Sequence, residues 1–383
     1  MKDLKEKKVF VYYTGGTIGM VPGPGGKLIP GRRGDFTNEI RRHPELYEAE
    51  KDGWFVLPEK ATDDCPGNIR VLYHIEEVLK PIDSTKMLPQ NWSDIAKKIL
   101  AEDEPKEYDG FIILHGTDTM AYTSSALSFL LHGKIRKPVV LTGAQRTLFE
   151  PRSDAVDNML GSLLIAGCYA DYAPLQQVSL FFDNKLFQGN RVTKFDSNSF
   201  EAFTSPKFKP LVEMGVDITV NCQCVPVTQC ENFLDCFTPF LPLSNSNSDV
   251  RLIFLYPGIQ EEFVRSALRG AGGVALASFG AGNVPDFDWL KSAMIEAKER
   301  EVLFLNCCQV FKGVVEAIYD VSSWLVEAGV VSGHDITIES ALTKLIWVLQ
   351  IPNIPYKLRR EILEKSVCGE MTLPEERDEG SLE

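Results

Sequence analysis

Val9–Met20 reads VFVYYTGGTIGM. Val9 to Tyr13 is a short run of β-branched and aromatic residues, the pattern of a buried strand. Thr14-Gly15-Gly16-Thr17 follows without a break. Two adjacent glycines let the chain turn sharply and come close to a ligand, and a threonine stands at the mouth of the turn. In open parallel sheets ligands bind beyond the carboxyl ends of the strands, so a hydroxyl at this position is placed to react. The same stretch also reads as a tight turn with Thr17 capping a helix.

A second stretch has the same design. Phe111–Leu114, FIIL, runs directly into HGTDTM at 115–120: strand, glycine turn, hydroxyl, and now a carboxylate. Two such strand ends facing one crevice make a site. Around them strand and helix patterns alternate. Strands are predicted at Val71–Tyr73, Pro138–Leu141 and Val178–Phe182. Helices are predicted at Trp92–Leu100, with Asn91 or Ser93 near its cap, at Thr123–Leu131, and after Ser153, where Val156, Met159, Leu160, Leu163, Leu164 and Gly167 share one face. Residues 211–249 break the alternation, carry a cysteine cluster and end in SNSNS, a linker composition. Alternation then resumes, with strands at Arg251–Tyr256, Gly273–Phe279 and Val302–Asn306. Helices are expected at Glu261–Leu268, Asp286–Arg300, Glu339–Gln350 and Tyr356–Val367. This pattern predicts an α/β chain with parallel sheets: a larger N-terminal domain over 1–210, a linker at 211–249, a smaller C-terminal domain over 250–370 and a polar tail at 371–383. Residues 21–35, VPGPGGKLIPGRRGD, hold three prolines and five glycines. That composition suits no packed element and reads as a lid after Thr17, or as a plain loop.

The chain has 383 residues and a formal net charge of −13, which argues against nucleic acid or an anionic membrane as the main partner. No run approaches the ~20 apolar residues of a membrane span. The charged start, MKDLKEKK, lacks the apolar core of a secretory signal. The nine cysteines are odd in number and include the vicinal Cys307 and Cys308, which suits free thiols in a reducing, cytoplasmic compartment. Cys222, Cys224, Cys230 and Cys236 lack the paired CxxC spacing of a structural zinc site. The five histidines, His43, His74, His115, His132 and His334, show no metal-binding spacing, and His115 at its strand end reads as structural. No metal and no cofactor are expected. The GxSxG, HExxH and GxxxxGK[ST] motifs are absent.

Four segments together carry a resemblance: TGGTI at 14–18, HGTDTM at 115–120, TGAQ at 142–145 and VTK at 192–194 within GNRVTKFDS. In this order they resemble the bacterial-type L-asparaginase family, the one with a threonine nucleophile, over about residues 8–350. The flanking YTGGTIGM, DSTKM, TGAQR and GNRVTK are most similar to its cytoplasmic type I branch. The resemblance implies hydrolysis of L-asparagine to L-aspartate and ammonia, with a small-molecule substrate and a homodimeric or homotetrameric assembly that can respond cooperatively.

Amide hydrolysis needs a nucleophile, a proton acceptor and a site for the oxyanion. Thr17 is suited to the first role. Thr117, Lys194 and Asp118 form a plausible hydroxyl–lysine–carboxylate relay, in the logic of a triad with lysine in place of histidine. Backbone N–H groups at Gly116 and Thr117 are natural oxyanion donors. By resemblance, Asp118 also takes the substrate α-ammonium and Ser84 its α-carboxylate, with Asp83 and Thr85 on either side. Asn283, in the Gly280-Ala281-Gly282-Asn283 turn, and Tyr319 resemble residues that reach in from a neighbouring subunit. One departure stands out. Many family members carry a tyrosine in the lid, where this chain has Leu28, and residues 18–46 contain no tyrosine. A glutamine-directed amidohydrolase and a catalytically weak amino-acid sensor are the alternatives.

Overall fold

The computed structural model describes residues 4–63, 65–105, 107–221, 243, 249–316 and 323–374. The chain divides into two compact units, Met1–Val225 and Pro226–Glu383.

The first unit is built on a ten-stranded sheet. Its strands run in the order Ile218–Val220, Val212–Met214, Lys185–Gln188, Val178–Phe182, Val139–Thr142, Gly110–Leu114, Lys5–Tyr13, Ile69–Glu77, Trp54–Val56, Ala49–Lys51. The five central strands, from Val178–Phe182 to Ile69–Glu77, are parallel. Every residue of Gly110–Leu114, Val139–Thr142 and Val178–Phe182 is buried. Such continuous apolar runs suit strands covered on both faces. Val9, Val11, Ile112, Leu114 and Val140 pack in one cluster with Met159 and Leu163 of the helix Ala155–Cys168. Phe10 and Phe111 alternate with these along their strands, and their rings lie 6.3 Å apart.

Three features differ from the sequence expectation. The sheet is mixed rather than wholly parallel: its edges are short antiparallel hairpins. Val212–Met214 and Ile218–Val220, within the expected linker, form one of those edges. The segment after Thr17 holds regular structure, although none of residues 21–35 is buried. Met20–Pro22 pairs antiparallel with Leu28–Pro30 around the Pro24–Gly26 turn, and the helix Asp35–Ile40 follows. Proline and glycine here build the turn between two very short strands. The base of this hairpin is fixed, since Leu148 N donates to the Ile18 carbonyl at 3.0 Å and the Thr147 hydroxyl donates to that of Met20. Leu28 sits exposed opposite Pro22.

The second unit is a four-stranded parallel sheet in the order Val250–Phe254, Gly273–Ser278, Leu303–Cys308, Val330–Ser332. Among the described residues its helices include Glu261–Leu268, Asp288–Glu299, Ser323–Glu327, Ile338–Gln350 and Tyr356–Glu364. Lys344 and Glu370, both fully buried, form an ion pair at 2.7 Å. The Lys344 ammonium also donates to the Leu363 and Lys365 carbonyls, and the Glu370 carboxylate accepts from the Val367 and Cys368 N–H groups. The pair is thus surrounded by hydrogen-bonding partners, the condition for burying charge without a large penalty. It ties the segment after the helix Tyr356–Glu364 to the domain.

Candidate active site

The site begins where two neighbouring parallel strands end. Tyr13 and Leu114 are in register. Just beyond them, the Thr14 N–H and hydroxyl both donate to the Leu114 carbonyl, at 3.0 and 2.8 Å. The Gly15-Gly16 turn then needs glycine for two reasons. Both residues have positive φ, +137° and +93°, and a Cβ on Gly16 would lie 2.5 Å from the Gly116 nitrogen. The loops bearing Thr17 and Thr117 therefore meet backbone to backbone.

Ser84 closes the third side. A Cβ on Gly116 would stand 2.5 Å from the Ser84 Oγ, and the Thr119 hydroxyl donates to the Ser84 carbonyl at 2.8 Å. The Ser84 loop is itself tied to the first turn, because Ile82 N donates to the Thr14 carbonyl at 2.8 Å. Asp83 and Thr85 engage each other: one carboxylate oxygen of Asp83 accepts from the Thr85 N–H at 3.0 Å and from its hydroxyl at 2.8 Å. Those bonds from Thr85 hold the Asp83 carboxyl below its ordinary value. This pair shapes the turn that presents Ser84.

Lys194 stands on the short strand Thr193–Lys194, paired with Phe203–Thr204. Its Nζ donates to the Thr117 hydroxyl oxygen at 2.9 Å and to Asp118 Oδ1 at 2.7 Å. The lysine side chain is 18% exposed and that of Asp118 is 58% exposed, so the aspartate is the more open member of the pair. Thr117 is buried, and its hydroxyl hydrogen is left to point at Gln145 Oε1, 3.4 Å away. Gln145 is fixed in turn by bonds from its Nε2 to the Ser199 and Asp196 carbonyls and by Asp154, which accepts from its N–H. The sequence shows Gln145 only as part of the TGAQ motif, without a role; the signal for it is its place in the turn that follows the strand Val139–Thr142. The partly exposed Thr17 hydroxyl makes no hydrogen bond to a described protein group.

Behind Gly116 lies His115, fully buried. Its Nδ1 is 2.7 Å from the Gly116 carbonyl and its Nε2 is 3.0 Å from the Thr123 hydroxyl, which also accepts from the Trp92 indole N–H at 3.1 Å. Burial pulls the imidazole down to about 4 against the opposing pull of the Gly116 carbonyl, so the ring is neutral at ordinary pH.

Asn283 lies in the second unit. The Gly280–Asn283 turn has positive φ at both glycines, +48° and +100°. Phe279 and Asn283 exchange backbone hydrogen bonds at 3.0 and 2.8 Å. The Gly282 carbonyl accepts from Asn306 Nδ2 at 3.1 Å, and that of Gly280 from the Cys308 thiol at 2.6 Å. Tyr319 and the cysteines 222, 224, 230 and 236 lie outside the described residues. Among the described residues no group of three or more His, Cys, Asp and Glu side chains gathers to hold a metal, and no helix is long and apolar enough to cross a membrane.

The chain thus has two α/β units, and in the first of them threonine, lysine and carboxylate groups gather beside adjacent strand ends. Residues 8–226 match the family model "Asparaginase, N-terminal" and residues 249–361 match "Glutaminase/Asparaginase C-terminal domain"; the chain belongs to the asparaginase family. It is 36% identical over 372 residues to L-asparaginase 1 of Escherichia coli, covering 96% of this chain and 99% of that one. It is 38% identical over 375 residues to the 60 kDa lysophospholipase of Mus musculus, covering 96% of this chain and 63% of that one. Its fold is similar to that of L-asparaginase I from Vibrio cholerae, with a TM-score of 0.78 and 34% identity over 96% of this chain and 100% of the other.

Proposed function

We propose that this chain hydrolyses the side-chain amide of L-asparagine to L-aspartate and ammonia. The observation that carries the reading is the Lys194 amine held between the Thr117 hydroxyl and the Asp118 carboxylate, beside the loop that bears Thr17. The near full-length likeness to an L-asparaginase supports it.

In this reading the Thr17 oxygen bonds to the amide carbon. Charge builds on the carbonyl oxygen and is met by backbone N–H groups at the Gly116–Thr117 turn. The C–N bond then breaks, and the nitrogen leaves as ammonia with the proton that Thr17 gave up. Water next attacks the Thr17 ester, aspartate leaves, and Thr17 regains its hydrogen. Lys194 takes part in the proton transfers, and Asp118 orients it. With Oδ1 of Asp118 on Lys194, Oδ2 is available for the substrate α-ammonium. Ser84 takes the α-carboxylate, while Asp83 and Thr85 fix its loop. Asn283 and Tyr319 complete the site from a second copy, in a homodimer or homotetramer. The compartment is the cytoplasm and no cofactor takes part.

The Thr17 hydroxyl, which makes no hydrogen bond to a described protein group and precedes the hairpin carrying Leu28, favours a second reading: a protein that binds the amino acid but turns it over weakly. Ammonia release from L-asparagine and L-glutamine, by wild type and by Thr17→Ala, separates these. Fast release from asparagine that Thr17→Ala abolishes supports the hydrolase. Preference for glutamine moves the substrate by one methylene, a discrimination worth about 1–3 kcal/mol. Binding of asparagine without ammonia leaves the sensor.

A further inference from the structure

We propose that His115 is a positioning residue, which turns the Gly116–Thr117 peptide so that the Thr117 N–H is held ready for the substrate oxyanion. The inference rests on the hydrolase reading above and deepens it.

The hydrogen-bond chain Trp92–Thr123–His115–Gly116 admits one arrangement of protons on a neutral ring. At one end stands an indole N–H, which only donates. At the other stands the Gly116 carbonyl, which only accepts. Trp92 Nε1 donates to the Thr123 oxygen at 3.1 Å. The Thr123 hydroxyl then gives its hydrogen to His115 Nε2, 3.0 Å away. His115 Nδ1–H donates to the Gly116 carbonyl at 2.7 Å. His115 is thereby fixed as the Nδ1–H tautomer. The chain is sealed: Trp92 is 6% exposed, and Thr123 and His115 not at all. The backbone of His115 is pinned as well, since its N–H donates to the Thr142 carbonyl at 2.9 Å.

The consequence appears on the opposite side of the same peptide. A trans peptide points its carbonyl and its N–H in opposite directions, and no peptide among the described residues is cis. With the Gly116 carbonyl drawn to the imidazole, the Thr117 N–H faces away from the buried side. No described protein group accepts from that N–H. A polar chain that crosses the core between two helices and a strand end, only to hold one carbonyl, is unnecessary for a turn that merely needs to be a turn. It is what an oxyanion donor needs, because such a donor acts through its fixed aim.

Histidine substitutions separate the two nitrogens. In His115→Asn the side-chain amide nitrogen falls near the place of Nδ1 and can still donate to the Gly116 carbonyl. In His115→Gln it falls near Nε2 and leaves that carbonyl unheld. We expect His115→Asn to keep kcat for ammonia release within about fivefold of wild type. We expect His115→Gln to lose about tenfold to a hundredfold, less than deletion of an oxyanion donor, with KM changed by under about twofold. Equal losses in the two variants, or a loss confined to KM, overturn the inference. If neither variant folds, 15N NMR of histidine-labelled wild type decides: a neutral ring with the proton on Nδ1 supports the chain as built, and a proton on Nε2 overturns it. An active wild type with the wrong tautomer defeats only this inference, whereas an inactive wild type defeats the hydrolase reading and the inference with it.

Discussion

Lys194 Nζ and Thr117 Oγ1 lie 2.9 Å apart although 77 residues separate them in the chain. A lysine that donates to a buried hydroxyl and, at 2.7 Å, to a half-exposed carboxylate is held in place from two sides. Lys194→Met removes the amine while keeping much of the side-chain bulk. It should lower kcat for asparagine by about a thousandfold, within the range of a lost acid–base group. Thr117→Val should act through the same unit, so the double variant should be scarcely worse than either single one. Steady-state ammonia release, with circular dichroism to confirm folding, checks this. Additive losses would show that the two groups work apart.

Gly116→Ala should damage the site by contact alone. Its Cβ would arrive 2.5 Å from the Ser84 Oγ, and the Ser84 carbonyl is tied to Thr119. Moving Ser84 displaces the proposed carboxylate contact, so KM for asparagine should rise about tenfold or more, the equivalent of roughly one lost hydrogen bond to a charged group. Adding Ser84→Gly to Gly116→Ala should relieve the crowding and recover thermal stability without recovering KM. If the double variant stays as unstable as Gly116→Ala, the crowding is not with Ser84.

Much of this molecule is legible in its residues. Val178–Phe182 and Glu261–Leu268 form over the spans their patterns predict, the first a continuous apolar run and the second an amphipathic one. Val71–Tyr73 is under-read: the strand runs over Ile69–Glu77, because His74 and Glu76 interrupt the apolar run on its outer side. The hairpin after Thr17 is hidden by its composition, since strands of three residues leave too little pattern among prolines and glycines. The strand ends at Thr17 and Thr117 are visible as motifs. The mutual engagement of Asp83 with Thr85, and the chain from Trp92 through Thr123 to His115, are not. They depend on which side chains the packing of distant helices brings together, and no local spacing encodes that.

The buried Lys344–Glu370 pair should govern acid stability of the second unit. Burial alone would raise the Glu370 carboxyl, but Lys344 and the N–H groups of Cys368 and Val367 outweigh it and hold the group below the ordinary glutamate value of 4.5. A carboxyl lowered on folding contributes stability that is fully present above its unfolded value and is lost as pH falls through the folded one. Wild type should therefore keep this contribution at neutral pH and lose it only below about pH 4.5. Glu370→Gln should be less stable at pH 7, and its deficit should shrink as the pH drops through that range. Lys344→Met leaves the carboxylate buried with no counter-charge, which costs about 3–5 kcal/mol and should lower the melting temperature by about 6–20 °C for a unit of this size. Thermal melts of the full chain from pH 3 to pH 8 test both. A deficit for Glu370→Gln that stays constant across that range would mean that its charge contributes nothing, and that the carboxylate serves the Val367–Cys368 turn only as a neutral hydrogen-bond acceptor would.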